Sequence, residues 1–174
     1  MTNNWAMGQD GTAILFSTRN DSGETTIIED IEFSNNIVRG SVNAINVYGA
    51  EARGGRRLTI RNNIFDDLKS HKSGGGGIFM KASHWDKLTI ENNTIIQTGN
   101  ISSAYGSPIK DFVFRNNIIF ENEYGFHGDG AGTGKRALNK YFPRATIQKN
   151  IIIGGSSSVY GTNNFYPKSI RQVG

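Results

Sequence analysis

The chain has no cysteine among its 174 residues, which excludes disulfides and thiolate metal sites. Proline is scarce, at three residues. No apolar run approaches the roughly 20 residues a membrane-spanning helix needs. The start, Met1-Thr2-Asn3-Asn4-Trp5, has neither the basic nor the apolar stretch of a signal peptide. No run of five or six like charges is present, so there is no nucleic-acid-binding arm. The formal net charge of +4 and pI of about 9.4 favour acidic partners such as polyuronides or nucleic acid. With no such arm, an anionic polysaccharide or small substrate is the expected partner, with no membrane and nucleic acid set behind it. Glycine, at 22 residues, and asparagine are plentiful, a mixture that builds turns rather than long helices. The length suits one domain over residues 1–174.

A short pattern recurs along the chain. Ile31-Glu32-Phe33-Ser34-Asn35-Asn36-Ile37 aligns with Leu58-Thr59-Ile60-Arg61-Asn62-Asn63-Ile64, Leu88-Thr89-Ile90-Glu91-Asn92-Asn93-Thr94, Phe112-Val113-Phe114-Arg115-Asn116-Asn117-Ile118 and Ala145-Thr146-Ile147-Gln148-Lys149-Asn150-Ile151. Asn3-Asn4-Trp5 is a truncated copy. Within each copy the apolar residues alternate with polar ones, the signature of a strand with one buried face. Asn-Asn is followed by a second apolar burst, as in Ile64-Phe65 and Ile118-Ile119-Phe120. A third strand-like piece follows: Ala44-Ile45-Asn46-Val47, Gly77-Ile78-Phe79-Met80, Ser103-Ala104-Tyr105 and Val159-Tyr160. Three short strands per irregular repeat predict an all-β right-handed parallel β-helix, a solenoid of about five to six coils. The insertion at 128–143 is expected to hold a short helix, capped by Thr133 and stopped before Pro143. Residues 128–135, Gly-Asp-Gly-Ala-Gly-Thr-Gly-Lys, depart from a phosphate loop at Asp129 and Arg136 and read as a glycine-rich turn.

The Asn-Asn pair has a physical reading. Asn tolerates the left-handed backbone of a tight bend, and its amide both donates and accepts. Amides stacked one strand spacing apart can therefore hydrogen-bond in a ladder. Lys149 replaces the first Asn of its copy, so the second position is the ladder: Asn36, Asn63, Asn93, Asn117 and Asn150.

The repeated Ile-x-Ile-x-Asn-Asn-x-Ile pattern, with Tyr141-Phe142-Pro143 and Asn164-Phe165-Tyr166-Pro167, resembles the pectate-lyase-like superfamily, and more closely bacterial right-handed parallel β-helix repeat-containing proteins. The likeness covers nearly the full chain. It implies the fold, an extracellular location, and that these are the C-terminal coils of a longer protein. A stack cut open at its N-terminal end would expose apolar side chains and strand edges. The expectation is a homo-oligomer joined through its β-helix ends, with the run 163–167 covering the other end.

The resemblance also implies candidate chemistry. Lyases of this superfamily abstract a proton α to a uronate carboxylate, with a basic side chain as base and a cation neutralising the carboxylate. Lys81 is the candidate base, with Arg53, Arg56 or Arg57 nearby, and Glu51, Asp66 and Asp67 are candidate Ca²⁺ ligands. Of the three histidines, His71, His84 and His127, the last lies two residues before Asp129, and a strand puts such a pair on one face. His84, His127 and Asp129 therefore form a candidate acid/base or metal cluster for a transition metal such as Zn²⁺, with Glu51 on the same flank. Paired carboxylates of a hydrolase are represented by Asp66-Asp67, which alternation would split between faces, and by Glu121/Glu123. Tyr48, Tyr105, Tyr124 and Tyr160 recur near the third-strand positions, either as a platform for sugar rings or as an aromatic stack.

Three functions follow. The first is a carbohydrate-active module binding or cleaving an acidic polysaccharide, with Glu51, Arg53, Tyr105 and Tyr124 contacting substrate. The second is a metal-dependent hydrolase built on His84, His127 and Asp129. The third is a non-catalytic structural or adhesive solenoid.

Overall fold

Apolar residues at every second position require strands that bury one face, and here those strands pair in parallel. The structure is a computed structural model that describes residues 5–19, 26–49, 54–69 and 76–173, with the backbone alone described over 5–10. In chain order the first strands are β1 (Trp5–Ser17), β2 (Ile28–Ser34), β3 (Ile37–Tyr48), β4 (Gly55–Arg61), β5 (Ile64–Leu68), β6 (Met80–Ser83), β7 (Trp85–Glu91), β8 (Thr94–Gln97) and β9 (Ser102–Ala104). There follow β10 (Ile109–Lys110), β11 (Val113–Arg115), β12 (Ile118–Phe120), β13 (Phe126–Gly128), β14 (Gly132–Thr133), helix α1 (Lys135–Tyr141), β15 (Thr146–Gln148), β16 (Ile151–Ile153) and helix α2 (Ser157–Tyr160). The fold is mostly β.

The strands sort into three families of repeat-equivalent pieces. In the first, β2, β4, β7, β11 and β15 lie side by side. Phe33 pairs with Ile60, Ile60 with Ile90, Ile90 with Phe114, and Phe114 with Ile147. In the second, the start of β3 is followed by β5, β8, β12 and β16. In the third, the end of β3 is followed by β6, β9 and β13. All of these pairings are parallel, and the sequence separation between partners is the repeat length. Phe33, Leu58, Ile60, Leu88, Ile90 and Phe114 are buried, while Glu32, Thr59, Thr89 and Val113 face outward as the alternation predicts. The core is one cluster joining all three families.

The bends between the first two families explain the Asn-Asn pair. Asn35, Asn62, Asn92, Asn116 and Lys149 all have φ of 55° to 56°, the left-handed region Asn enters most easily and Lys reluctantly. The next residue is the ladder. Asn36, Asn63, Asn93, Asn117 and Asn150 are each at most 2% exposed. Each Nδ2 donates to the following Oδ1 at 2.9–3.1 Å. Each ladder backbone N–H donates to the same oxygen at 2.9–3.0 Å. The row continues one step further than the repeats indicate, to Asn164, whose Nδ2 ends it on the carbonyls of Ile147 and Tyr160.

Several local expectations are corrected. β3 runs unbroken through the second and third strand positions, with Gly40 at φ 67°. The third strand of the second repeat starts at Met80, later than Gly77. The fourth repeat has a third strand that the pattern did not reveal, β13. Val159-Tyr160 lies in α2, not in a strand, because the Ser156 hydroxyl accepts from the Ser158 N–H and starts a helical turn. Helix α1 begins at Lys135 with Gly134 at its cap and no side-chain cap bond. Thr133 is instead engaged in the antiparallel pairing of β14 with β13. Gly130, Gly132 and Gly134 have positive φ, so the glycine-rich stretch is the hairpin turn. Phe142 packs on Phe112 and Phe126, at ring-centroid separations of 4.7 and 5.3 Å. No helix among the described residues is long and apolar enough to cross a membrane.

Candidate functional site

The outward face of the third strand family gathers most of the candidate residues. Asn46 pairs with Lys81, Lys81 with Ser103, and Ser103 with His127. Their strand neighbours Ile45, Val47, Met80, Ala82, Ser102, Ala104, Phe126 and Gly128 are buried, so alternation turns these four side chains outward, where all are partly exposed. They form a row at about 4.8 Å per step, with Lys81 and His127 about 10 Å apart along it. The row has no carboxylate. The Asn100 amide donates to the Ser103 hydroxyl at 3.0 Å, and the Tyr124 ring stands edge-on to His127 at 6.4 Å. Glu123, hydrogen-bonded to the exposed Tyr124 hydroxyl, holds that phenol above its ordinary range.

A second outward row runs beside the first. Tyr48 pairs with Ser83, and the Tyr105 N–H donates to the Ala82 carbonyl, which sets Tyr105 next in line. The Tyr48 and Tyr105 rings stack at 6.2 Å and 29°, two rows apart with only the small Ser83 between them. Ser83 is fully buried and its hydroxyl has no hydrogen-bond partner among the described residues. The Tyr105 hydroxyl reaches Asn46 Oδ1 at 3.4 Å, while burial pushes its pKa up. The remaining tyrosines part company: Tyr124 stands by His127, and Tyr160 packs inside on Phe126 at 5.9 Å.

The structure does not bring His84 together with His127 and Asp129. His84 sits at the corner between β6 and β7 with φ 48°. Its ring lies against Gly54, where an added Cβ would come within 3.1 Å of it. His127 is mid-strand two rows away, and Asp129 is in the hairpin turn, its carbonyl taking bonds from Lys140 Nζ and the Tyr141 hydroxyl at 2.9 and 2.6 Å. Among the described residues no group of three or more His, Asp or Glu is placed to hold a metal ion. His71, Glu51 and Arg53 lie outside the described residues.

Several other carboxylates serve ion pairs on the outer surface. Asp66 pairs with Arg39 and Asp67 with Lys69. Glu29 and Asp30 hold Arg56 and Arg57, and Glu32 holds Arg61. These guanidinium partners lower the pKa of Glu29, Asp30 and Glu32, so what little the pairs contribute is present above the ordinary carboxylate range and lost as acid protonates them. Asp66, Asp67, Arg56 and Arg57 are thus already engaged in ion pairs.

No protein-family model, curated protein or solved structure matches this chain.

Glu121 behaves differently from the surface carboxylates. It is partly buried at the end of β12 and accepts the Tyr160 hydroxyl. Burial raises its pKa, against the lowering effect of that hydrogen bond. A raised carboxyl pKa means stability is greatest below the ordinary value of 4.5 and falls as pH rises through the folded value. Glu121→Gln keeps the acceptor and removes the charge. The pH dependence of its melting temperature is expected to be flatter than wild type in the interval between 4.5 and the raised folded value. An unchanged slope in a thermal melt series would refute this assignment.

Asn46, Ser103 and Asn100 were absent from the residues the sequence singled out. Alternation in Ala44-Ile45-Asn46-Val47 does signal Asn46 as outward. His127 falls into line with it only when Phe126-His127-Gly128 is aligned as a third strand, and its glycine-flanked three residues give little pattern to align.

Proposed function

We propose that the chain is a right-handed parallel β-helix of the pectate-lyase-like kind and that the outward face of its third strand family binds an acidic polysaccharide outside the cell. The reading of the fold is supported by three families of parallel strands whose partners lie one repeat apart. The reading of the function rests on the row Asn46, Lys81, Ser103 and His127. It offers amide, ammonium, hydroxyl and imidazole groups at the pitch of the strands and contains no acidic side chain itself, the carboxylate described beside it being Glu123 on the Tyr124 hydroxyl. The Tyr48–Tyr105 pair beside it supplies the apolar surface that sugar rings favour. Lys81 is the candidate base should the bound polymer be cleaved.

The test is calorimetric titration of the full chain with polygalacturonate and alginate oligosaccharides, alongside an absorbance assay for unsaturated lyase products. Lys81→Ala and Tyr105→Ala are each expected to weaken binding about tenfold, the scale of one charge-assisted hydrogen bond or one stacked ring. The proposal is lost if no polyuronide binds, or if both variants bind like wild type.

A further inference from the structure

A cavity of about 290 Å³ lies between α1, α2 and β15, and none of its lining residues belongs to the outward row of the third strand family. Its volume is at the lower end of the roughly 300–1,000 Å³ typical of small-molecule sites. Its apolar wall is made by Leu138, Phe142, Ile147 and Val159. The wall exists because β15 is the last strand of its family, so no further strand covers Ile147, and because α1 turns Leu138 and Phe142 toward the same side. Tyr160 closes the back, its hydroxyl held by Glu121.

The rim is of one sign. Lys135 and Arg144 line the opening with the Asn139 amide, and no described residue lining the cavity is acidic. Every described ion pair lies elsewhere on the surface, and neither Lys135 nor Arg144 takes part in one. Apolar wall and unpaired cations together define the complement: a small molecule with a hydrophobic body of about one ring and a single anionic head.

We propose that this cavity binds a small amphipathic carboxylate, its apolar body against Leu138, Phe142, Ile147 and Val159 and its carboxylate between Lys135 and Arg144. The site is independent of the polysaccharide face. A guanidinium offers paired N–H donors that match a carboxylate, and the ammonium adds a second charge. An uncharged analogue of the same shape would fill the wall and leave both cations unsatisfied.

The experiment is titration of the full chain with 4-phenylbutyrate and, separately, 4-phenylbutanamide, followed by ¹H–¹⁵N chemical shifts. The carboxylate is expected to bind with perturbations at Lys135, Arg144 and Val159, and the amide about tenfold more weakly. Lys135→Gln/Arg144→Gln changes exposed side chains only. It should keep the wild-type melting temperature and bind the acid no better than the amide. Val159→Trp, which fills the cavity, should abolish both. Equal binding of acid and amide, undiminished binding by the double variant, or no binding of the acid overturns the proposal. Tyr105→Ala, directed at the other face, should leave this titration unchanged.

Discussion

Replacing Asn117 by aspartate is expected to destabilise the protein severely at neutral pH and to let it recover as the pH falls. Asn117 is 1% exposed and spends every polar atom of its amide. Its Oδ1 accepts from the Asn93 backbone and side chain, both at 3.0 Å. Its Nδ2 donates to Asn150 Oδ1 at 3.1 Å and to the Ile90 carbonyl at 3.0 Å. An aspartate keeps the accepting oxygen but sets a second, charged oxygen against two acceptors in a dry interior. The expected loss at neutral pH is about 3–5 kcal/mol, the scale for an uncompensated buried charge. Burial and the facing oxygens raise the folded-state pKa of this carboxyl above its unfolded value of about 3.9. Its protonated form can still donate one hydrogen bond. The variant should thus be closest to wild type below the unfolded value and lose stability as pH rises through the folded one. Urea midpoints of variant and wild type, compared at acid and at neutral pH, check this. A deficit of equal size at both would refute the ladder's role as an obligate donor–acceptor chain.

The second large effect is expected at Gly55. It pairs with Trp85 across β4 and β7, and Trp85 is fully buried. A Cβ on Gly55 would lie 2.1, 2.2 and 2.3 Å from three atoms of the six-membered part of the indole. A rigid buried ring cannot yield that much, so Gly55→Ala should cost about 3 kcal/mol, the upper range for overpacking. Trp85→Phe removes the clashing atoms while leaving a cavity. The double variant should therefore be more stable than the sum of the single losses predicts, by at least about 1 kcal/mol. Chemical denaturation of the four proteins measures this coupling, and strict additivity would show that the glycine is not there to admit the indole.

How far the sequence reveals all this differs between the parts. The ladder from Asn36 to Asn150 was legible because an alternating apolar prelude precedes every copy but does not depend on loop length. Asn164 was not, because Gly161-Thr162-Asn163 has no such prelude, and the chain reaches the row by backbone bonds from Phe165 and Lys149 instead. Val159-Tyr160 has the β-branched and aromatic composition of a strand, yet the hydroxyl of Ser156 and the positive φ of Gly161 decide for a helical turn. At the candidate site, Lys81, His127, Tyr105 and Tyr124 were picked out as chemically able residues, and the structure gathers them on or beside one face. Grouping His84 with them requires its loop to align with theirs. A left-handed corner, which no pattern of side chains announces, sends its ring toward Gly54 instead.

The ladder also has a direction. At each step of the row from Asn36 to Asn164 the linking N–H points the same way and the accepting Oδ1 the other, so the linked bonds run head to tail and polarise one another. From Asn63 to Asn150 the second N–H of each amide goes to a main-chain carbonyl of the preceding repeat. The interior of this protein is therefore a vector as well as a core. At Asn164 both side-chain N–H groups are taken by the chain's own carbonyls of Ile147 and Tyr160, so this end of the row is closed inside the protein and offers no donor outward.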